Sequence, residues 1–110
     1  HAEVMLTSER PLDECPDVRD LLARTVGTDY VPADLTRDGA ADELVAHTWA
    51  TLGGVDVLVN NVGTFREPPF LDLTRSHFDF VFGLNVWAAV AVTQAVVRRA
   101  VAANRGGRIL

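Results

Sequence analysis

The sequence predicts a doubly wound α/β fold, in which helices cover both faces of a parallel sheet. Strand and helix patterns alternate along the 110 residues in the order strand, helix, strand, helix, strand, helix, strand. Helices between successive strands imply right-handed crossovers and parallel pairing. Residues 55–60 form a nearly continuous apolar run, which is typical of a strand covered on both faces.

Apolar spacing and turn residues predict the individual elements. Residues 4–7 form a short apolar strand, and residues 17–26 place apolar side chains at helical spacing, with Gly27 as a stop. Residues 30–35 form a second strand, and Pro32 places it at the edge of the sheet because proline cannot donate to a ladder. The remaining elements are a helix over 38–52, the buried strand over 55–60, a loop over 61–74, a long apolar helix over 75–104 and a strand from 107.

Composition and charge narrow the class of protein. A net charge of −5, with no lysine among the ten basic residues, argues against nucleic-acid binding. Cys15 is the single cysteine, so an internal disulfide is excluded and a reducing compartment is favoured. No histidine or cysteine cluster has metal-ligand spacing, so no metal site is expected. Polar residues interrupt each long apolar stretch, so we expect a cytoplasmic protein with no membrane segment.

The two ends of the sequence have strand character. His1 is followed at once by the first apolar run, and the last residues, Arg108-Ile109-Leu110, again form a strand pattern. Terminal strands without neighbours would leave ladder edges exposed. We therefore expect the sequence to be cut at both ends.

A motif after the buried strand resembles a known enzyme family. Residues 56–63 read Asp-Val-Leu-Val-Asn-Asn-Val-Gly. This run is similar to the Asp-x-Leu-Val strand and Asn-Asn-Ala-Gly motif of the short-chain dehydrogenase/reductase family, with Val62 in place of alanine. Three further matches lie at the family's spacing: Asp34-Leu35, Asn85-Val86 and Gly106-Gly107. The chain is therefore identified as a member of this family, with residues 1–110 as part of its dinucleotide-binding domain.

The resemblance implies cofactor-binding roles at two places. Asp34 would accept a hydrogen bond from the adenine amino group, and the backbone next to it, at Leu35, would define the ring edge. The alternative for Asp34 is that it caps the following helix. In the second place Asn61, Val62 and Gly63 would border the cofactor, where Gly63 lets the backbone pass close to the ribose.

The resemblance also implies a catalytic role for Asn85 in the long helix. In the family, this asparagine holds a water of the proton relay. An asparagine in so apolar a helix needs hydrogen-bond partners, so the alternative is a buried residue bonding backbone at a kink near Gly83. The two interpretations are compatible. Phe65, Arg66 and Glu67 would border the substrate, or would simply be solvated.

The end of the first strand bears on cofactor preference. Family members that use NAD usually carry an acidic residue there, whereas this chain has Ser8 followed by Glu9 and Arg10. Ser8 and Arg10 suit the 2′-phosphate of NADP, because arginine provides a charge-assisted fork. Glu9 opposes this by repulsion. We expect NADP rather than NAD.

Two parts of the family's machinery have no counterpart in these residues: the glycine-rich phosphate loop and the catalytic Tyr-x-x-x-Lys. Tyr30 is the single tyrosine, and no lysine occurs. The resemblance therefore implies a Rossmann-like sheet, of order 3-2-1-4-5, without its first strand and its C-terminal half. We expect these 110 residues alone to be inactive and marginally stable, because unpaired strand edges leave backbone groups without partners.

Three functions remain open at this point. The first is an NAD(P)-dependent oxidoreductase that interconverts a small-molecule alcohol and a carbonyl by hydride transfer, as a homodimer or homotetramer. The second is a non-catalytic remnant whose long helix, with Val86, Ala89, Val92 and Val96, is an interaction surface or plain core. The third is a family member that catalyses epimerisation or dehydration.

Overall fold

The computed structural model describes residues 2–65 and 68–110 of the chain. It confirms the predicted alternation of strands and helices. The elements are β1 Val4–Ser8, α1 Pro16–Arg24, β2 Thr28–Pro32, α2 Ala40–Leu52, β3 Val57–Leu58, α3 Arg75–Phe82, α4 Ala88–Ala102 and β4 Arg108–Ile109. Short 3₁₀ turns lie at Leu12–Glu14 and Phe70–Asp72.

Several predicted boundaries are wrong by two or three residues. Helix α1 ends at Arg24 rather than at 26, since Thr25 is extended. Strand β2 covers Thr28–Pro32 instead of 30–35, because its ladder with β1 begins at Thr28. Helix α2 begins at Ala40 rather than at 38, because Gly39 takes a left-handed φ of 82°. Turns at each end therefore set the element limits more tightly than apolar spacing.

The strands form two parallel pairs. Val4 lies opposite Thr28 and Ser8 opposite Pro32 in the β1–β2 pair, and Val57 lies opposite Arg108 in the β3–β4 pair. Within the described residues, β2 pairs with β1 alone, as expected for an edge strand that contains Pro32. No ladder joins β1 to β3 in this part of the chain. This agrees with the predicted sheet, in which these two strands are not neighbours.

Strand β3 is shorter and more exposed than the sequence predicts. Leu58 packs against the core, whereas Val57 and Val59 are 53% and 61% exposed. Alternate side chains of a strand point to opposite faces. The helices thus cover one face of β3, and no described element covers the other, so burial on both faces is wrong for these residues.

The core lies between α2 and α4. Its buried side chains include Ala40, Ala41, Leu44, Val45, Ala88, Val92, Ala95 and Val96, joined by Leu35 from the loop after β2. Val92 and Val96 are thus core residues, whereas Val86 is half exposed and Ala89 is partly buried. The predicted long helix is confirmed, with one π-helical turn at Gly83–Trp87 between α3 and α4.

The helical stretch Arg75–Ala102 is long and apolar enough to cross a bilayer by length and composition, with a mean hydropathy of 1.8 over 18 residues. Polar residues do interrupt this stretch, but they do not lower its mean hydropathy below that of a membrane span. Ala88, Val92, Ala95 and Val96 pack against α2, while 22% of the 18-residue window is buried within the described residues.

Arg105 ties the end of α4 to the region between α2 and β3. Its Nη1 donates to the carbonyl of Gly53 at 2.7 Å, and its Nη2 donates to Oδ1 of Asp56 at 2.8 Å. The guanidinium also lies 5.9 Å from the centroid of the Trp49 ring. Gly54 has a φ of 154°, and a Cβ there would lie 2.0 Å from Arg105 Nη1. The Arg105 side chain can therefore make these contacts only with glycine at position 54.

Replacing Arg105 by methionine should lower the free energy of unfolding by about 1–2 kcal/mol, because two charge-assisted bonds at a partly exposed site are lost. Urea denaturation measures the change. Arg75→Met is the matched control: Arg75 also has an acidic partner, Asp79, and a ring, Phe78, but both lie on its own helix. We expect the control to lose less than about 0.5 kcal/mol. Equal losses of unfolding free energy in both variants would show that the contacts of Arg105 with Gly53 and Asp56 stabilise the chain no more than an ion pair within one helix.

Candidate cofactor site

The turn after β1 is organised around Tyr30, which is 8% exposed. The Tyr30 hydroxyl donates to the carbonyl of Arg10 at 2.5 Å and lies 2.7 Å from Ser8 Oγ. The backbone N–H of Arg10 donates to Ser8 Oγ at 3.3 Å. Burial, the largest cause, raises the pKa of Tyr30, against an opposing effect of the Ser8 bond. Tyr30 thus holds both predicted 2′-phosphate residues, Ser8 and Arg10.

Asp34 lies two residues after β2, in a turn that it stabilises itself. Its Oδ1 accepts from the backbone N–H of Thr36 at 3.0 Å and from the Thr36 hydroxyl. These bonds, first the hydroxyl and then the backbone one, hold the pKa of Asp34 below its usual value. The alternative that Asp34 caps α2 is wrong, since Gly39 is the N-cap residue. Leu35 turns its side chain into the core, so its backbone is what remains for a ligand.

The loop after β3 carries Asn61, Val62 and Gly63, all exposed. Asn60 before them is anchored twice: its backbone N–H donates to the carbonyl of Leu110 at 2.9 Å, and its Nδ2 donates to Thr93 Oγ1 at 3.3 Å. The Asn60 side chain therefore ties the end of β3 to helix α4. No hydrogen bond joins the Asn61 side chain to the described residues.

Asn85 sits in the π turn and binds the same loop. Its Oδ1 accepts from the backbone N–H of Thr64 at 2.6 Å, and its Nδ2 donates to the carbonyl of Thr64 at 2.9 Å. The expectation of backbone bonding at a helix distortion near Gly83 is confirmed, whereas burial of the side chain is not, because Asn85 is exposed. One N–H and one lone pair of its amide remain for a water.

Gly63 lies close to the side chain of Asn85. A Cβ at position 63 would lie 3.0 Å from Asn85 Oδ1, closer than most Cβ contacts. Within this chain, a side chain at position 63 would press on the Asn85 amide, so glycine favours the close approach of Asn85 as well as the approach of a ribose inferred from the motif. The structure thus brings Gly63 and Asn85 together, and Ser8 and Arg10 together, and leaves Asp34 as a separate group.

The surroundings of these groups are open. A groove of about 280 Å³ lies beside Asp34, with Val31, Ala33, Leu44 and His47 in its walls. Phe65 is 84% exposed, and Arg66 and Glu67 lie outside the described residues, so the predicted substrate border is not described beyond Phe65. Among residues 2–65 and 68–110, no cluster of His, Cys, Asp and Glu side chains could hold a metal ion.

Three residues that organise the site are not among those predicted from the sequence. Tyr30 reads as one more apolar strand position, because nothing local shows that its hydroxyl reaches Ser8, which is 22 residues away. Thr64 contributes backbone groups alone, which leave no mark on the sequence. Thr36 had a usable signal, since an Asp-x-Thr sequence favours a side-chain turn in which the aspartate accepts bonds two residues on.

Comparison with known proteins identifies the family to which the chain belongs. A family model described as enoyl-(acyl carrier protein) reductase matches residues 2–110. A short-chain dehydrogenase from Mycobacterium smegmatis superimposes with a TM-score of 0.86, at 29% identity over 98% of this chain and 45% of that one. The chain therefore belongs to the short-chain dehydrogenase/reductase family, and its fold is Rossmann-like.

Two further relatives inform the function. The sorbitol dehydrogenase of Cereibacter sphaeroides is 33% identical over 100 residues, which are 86% of this chain and 39% of that protein. A metagenomic short-chain oxidoreductase in complex with NADP has a TM-score of 0.80 at 25% identity, over 97% of this chain and 49% of that one. The chain thus spans less than half the length of these relatives.

Adding a methyl group at Gly63 should break the pairing of Asn85 with Thr64. We expect Gly63→Ala to speed exchange of the Thr64 amide hydrogen about tenfold or more, because a lost hydrogen bond of about 1.4 kcal/mol corresponds to that factor. Hydrogen exchange followed by NMR measures it. Gly83→Ala is the matched control, since a Cβ there meets nothing within 4 Å. Unchanged exchange at Thr64 in Gly63→Ala would show that the loop yields without cost.

Thr36 should control the acidity of Asp34. Thr36→Val removes the largest cause of the lowered pKa, so the pKa of Asp34 should rise toward 3.8, its ordinary value. A carboxylate whose pKa is depressed on folding adds stability above its unfolded pKa and loses it as pH falls. The variant should therefore lose less stability between neutral and acidic pH than the wild type.

Carboxyl ¹³C shifts against pH measure the titration of Asp34. Thr51→Val is the control, because the Thr51 hydroxyl bonds only within α2, to His47. The same pKa of Asp34 in wild type, Thr36→Val and Thr51→Val would show that Thr36 does not lower the pKa of Asp34.

Proposed function

We propose that the chain is the cofactor-binding part of an NAD(P)-dependent oxidoreductase that interconverts a small-molecule alcohol and a carbonyl. The observation that carries this proposal is the position of the candidate residues. Ser8 ends β1, Asp34 follows β2, and Asn61 to Gly63 follow β3. In open α/β sheets, ligands bind outside the carboxyl ends of the strands.

The residues at these positions fit a dinucleotide. Asp34 keeps its carboxylate charged and directs its hydrogen bonds through Oδ1, which leaves Oδ2 for an amino group such as that of adenine. The exposed backbone from Asn61 to Gly63 is open to a ribose. When bound, the nicotinamide cofactor supplies or accepts the hydride. The residues of this chain hold it and shape the site.

Asn85 is the residue of this chain that we propose for catalysis. By pairing with both backbone groups of Thr64, it sets the position of the loop that borders the cofactor. Its remaining N–H and lone pair can hold a water near the reacting groups, as the family resemblance implies. A serine, a tyrosine and a lysine outside these 110 residues would then move the proton of the substrate hydroxyl.

For the cofactor we propose NADP rather than NAD. The Arg10 guanidinium is exposed at the end of β1, and among residues 2–65 and 68–110 it forms no ion pair, so it is available to a phosphate. The NADP complex of the metagenomic relative supports the same class of cofactor. For the whole protein we also propose a homodimer or homotetramer, supported by exposed apolar side chains on α3, the π turn and α4: Phe78, Phe82, Val86, Val90, Val97 and Val101. We propose a cytoplasmic location as well, because the free Cys15 fits a reducing compartment.

Turnover by the whole protein tests this function. Absorbance at 340 nm should report NADP reduction with polyols or secondary alcohols, and Asn85→Leu should lower kcat by about 10²–10⁴, the usual range for a lost proton-relay group. Gln94→Leu removes an exposed amide from α4, the helix that follows the π turn, and should stay within about twofold of wild type. A protein that binds neither NADP nor NAD would refute the proposal. Equal effects of the two substitutions would remove Asn85 from the catalytic role.

A further inference from the structure

The turn after β1 contains a closed ring of hydrogen bonds whose proton directions are determined. A carbonyl oxygen only accepts, so the single hydroxyl proton of Tyr30 goes to the carbonyl of Arg10. The 2.7 Å contact between Ser8 and Tyr30 must then use the Ser8 proton. The Arg10 backbone N–H closes the ring by donating to Ser8 Oγ. The hydroxyl protons of Ser8 and Tyr30 are thus both committed.

The backbone around this ring is also held. The carbonyl of Ser8 accepts from the backbone N–H of Ala33 at 2.8 Å, which ties the end of β1 to the residue after β2. Tyr30 itself is in the β2 ladder, opposite Leu6, and its ring is almost fully covered. The buried Tyr30 hydroxyl is a rigid anchor, because it sits on β2 and bonds to Ser8 at the end of β1 and to the backbone of Arg10 just after it. The Arg10 side chain, in contrast, is exposed.

We infer that Tyr30 and Ser8 are positioning residues for cofactor selection, and that the Arg10 guanidinium alone of these three meets the 2′-phosphate. The inference rests on the proposed function, and it changes the role of Ser8. A serine that contacts a phosphate dianion does so by donating its proton, and here that proton is given to Tyr30. Ser8 and Tyr30 instead fix the Arg10 backbone, and thereby the origin of the guanidinium.

The membership of the ring predicts that its effect is selective for the phosphate. The ring joins Ser8 and Arg10 to Tyr30 on β2, and it includes no atom of Asp34 or of the loop after β3. Loosening it should therefore spread the orientations of Arg10 and weaken a fork-like contact with phosphate. Binding of a cofactor that lacks the 2′-phosphate should change little.

A double-mutant cycle in the whole protein tests this inference. NADPH and NADH are titrated separately, by nicotinamide fluorescence, into wild type, Tyr30→Phe, Ser8→Ala and the double variant. We expect each single substitution to raise the Kd for NADPH about tenfold and to leave the Kd for NADH within about twofold. The double variant should be no weaker than either single variant, because both break the same ring. Arg10→Leu should abolish the preference for NADPH.

The control is Thr48→Val, which removes another buried hydroxyl, bonded to the Leu44 carbonyl on α2, and should change neither Kd. Additive losses, or a far larger loss in Ser8→Ala than in Tyr30→Phe, would make Ser8 a direct ligand and overturn the inference. Equal weakening of NADPH and NADH would reduce the ring to a general structural role. A wild type that prefers NADH would overturn the inference and leave the oxidoreductase function intact, whereas binding of neither cofactor would overturn both.

A measurement on the unaltered protein covers the case in which Tyr30→Phe fails to fold. Titration with 2′-AMP, which carries the 2′-phosphate, should shift the Arg10 side-chain N–H resonance in NMR spectra and leave the Tyr30 ring resonances in place. Shifts of the Tyr30 ring as large as those of Arg10 would mean that the phosphate opens the ring, and the inference would fail.

Discussion

The packing of α2 against α4 supports nearly every other feature of this chain. Ala88 and Ala95 are each 1% exposed, and Ala40 on the facing helix is 2% exposed. Such small side chains let two helices approach closely, and Leu44, Val45, Val92 and Val96 fill the remaining space. Dispersion and burial of apolar surface both grow with this closeness. The shared core then gives β3 a surface for Leu58 and gives the loop after β2 a socket for Leu35.

The position of the candidate catalytic residue follows from this packing. Helix α4 is held by its apolar face, while the π turn before it carries an extra residue and rotates Asn85 toward the loop after β3. π turns are frequent at functional sites because they re-aim side chains within an otherwise regular helix. Gly63 allows the loop to come near enough for the Asn85 amide to take both backbone groups of Thr64. The packing of α4 against α2 thereby determines where the polar side chain of Asn85 lies.

The β1–β2 pair depends on a different kind of constraint. It has few buried apolar side chains, and Tyr30 is the one member of this pair among the buried hydrophobic residues. Hydrogen bonds among Ser8, Arg10 and Tyr30 give it a defined end. Burial raises the pKa of Tyr30, which favours the protonated hydroxyl that donates to the carbonyl of Arg10. A polar network thus specifies the turn where apolar packing is sparse.

The sequence alone determined the order of the elements, the parallel class of the sheet and the positions of the motif residues, because apolar periodicity and glycine placement are local signals. It also placed Asn85 at a helix distortion. The partner of Asn85, the ring around Tyr30, the open face of β3 and the true ends of α1, α2 and β2 were decided by the tertiary structure alone. Each depends on groups that are distant in sequence or on backbone atoms, which every residue carries, so no residue pattern encodes them.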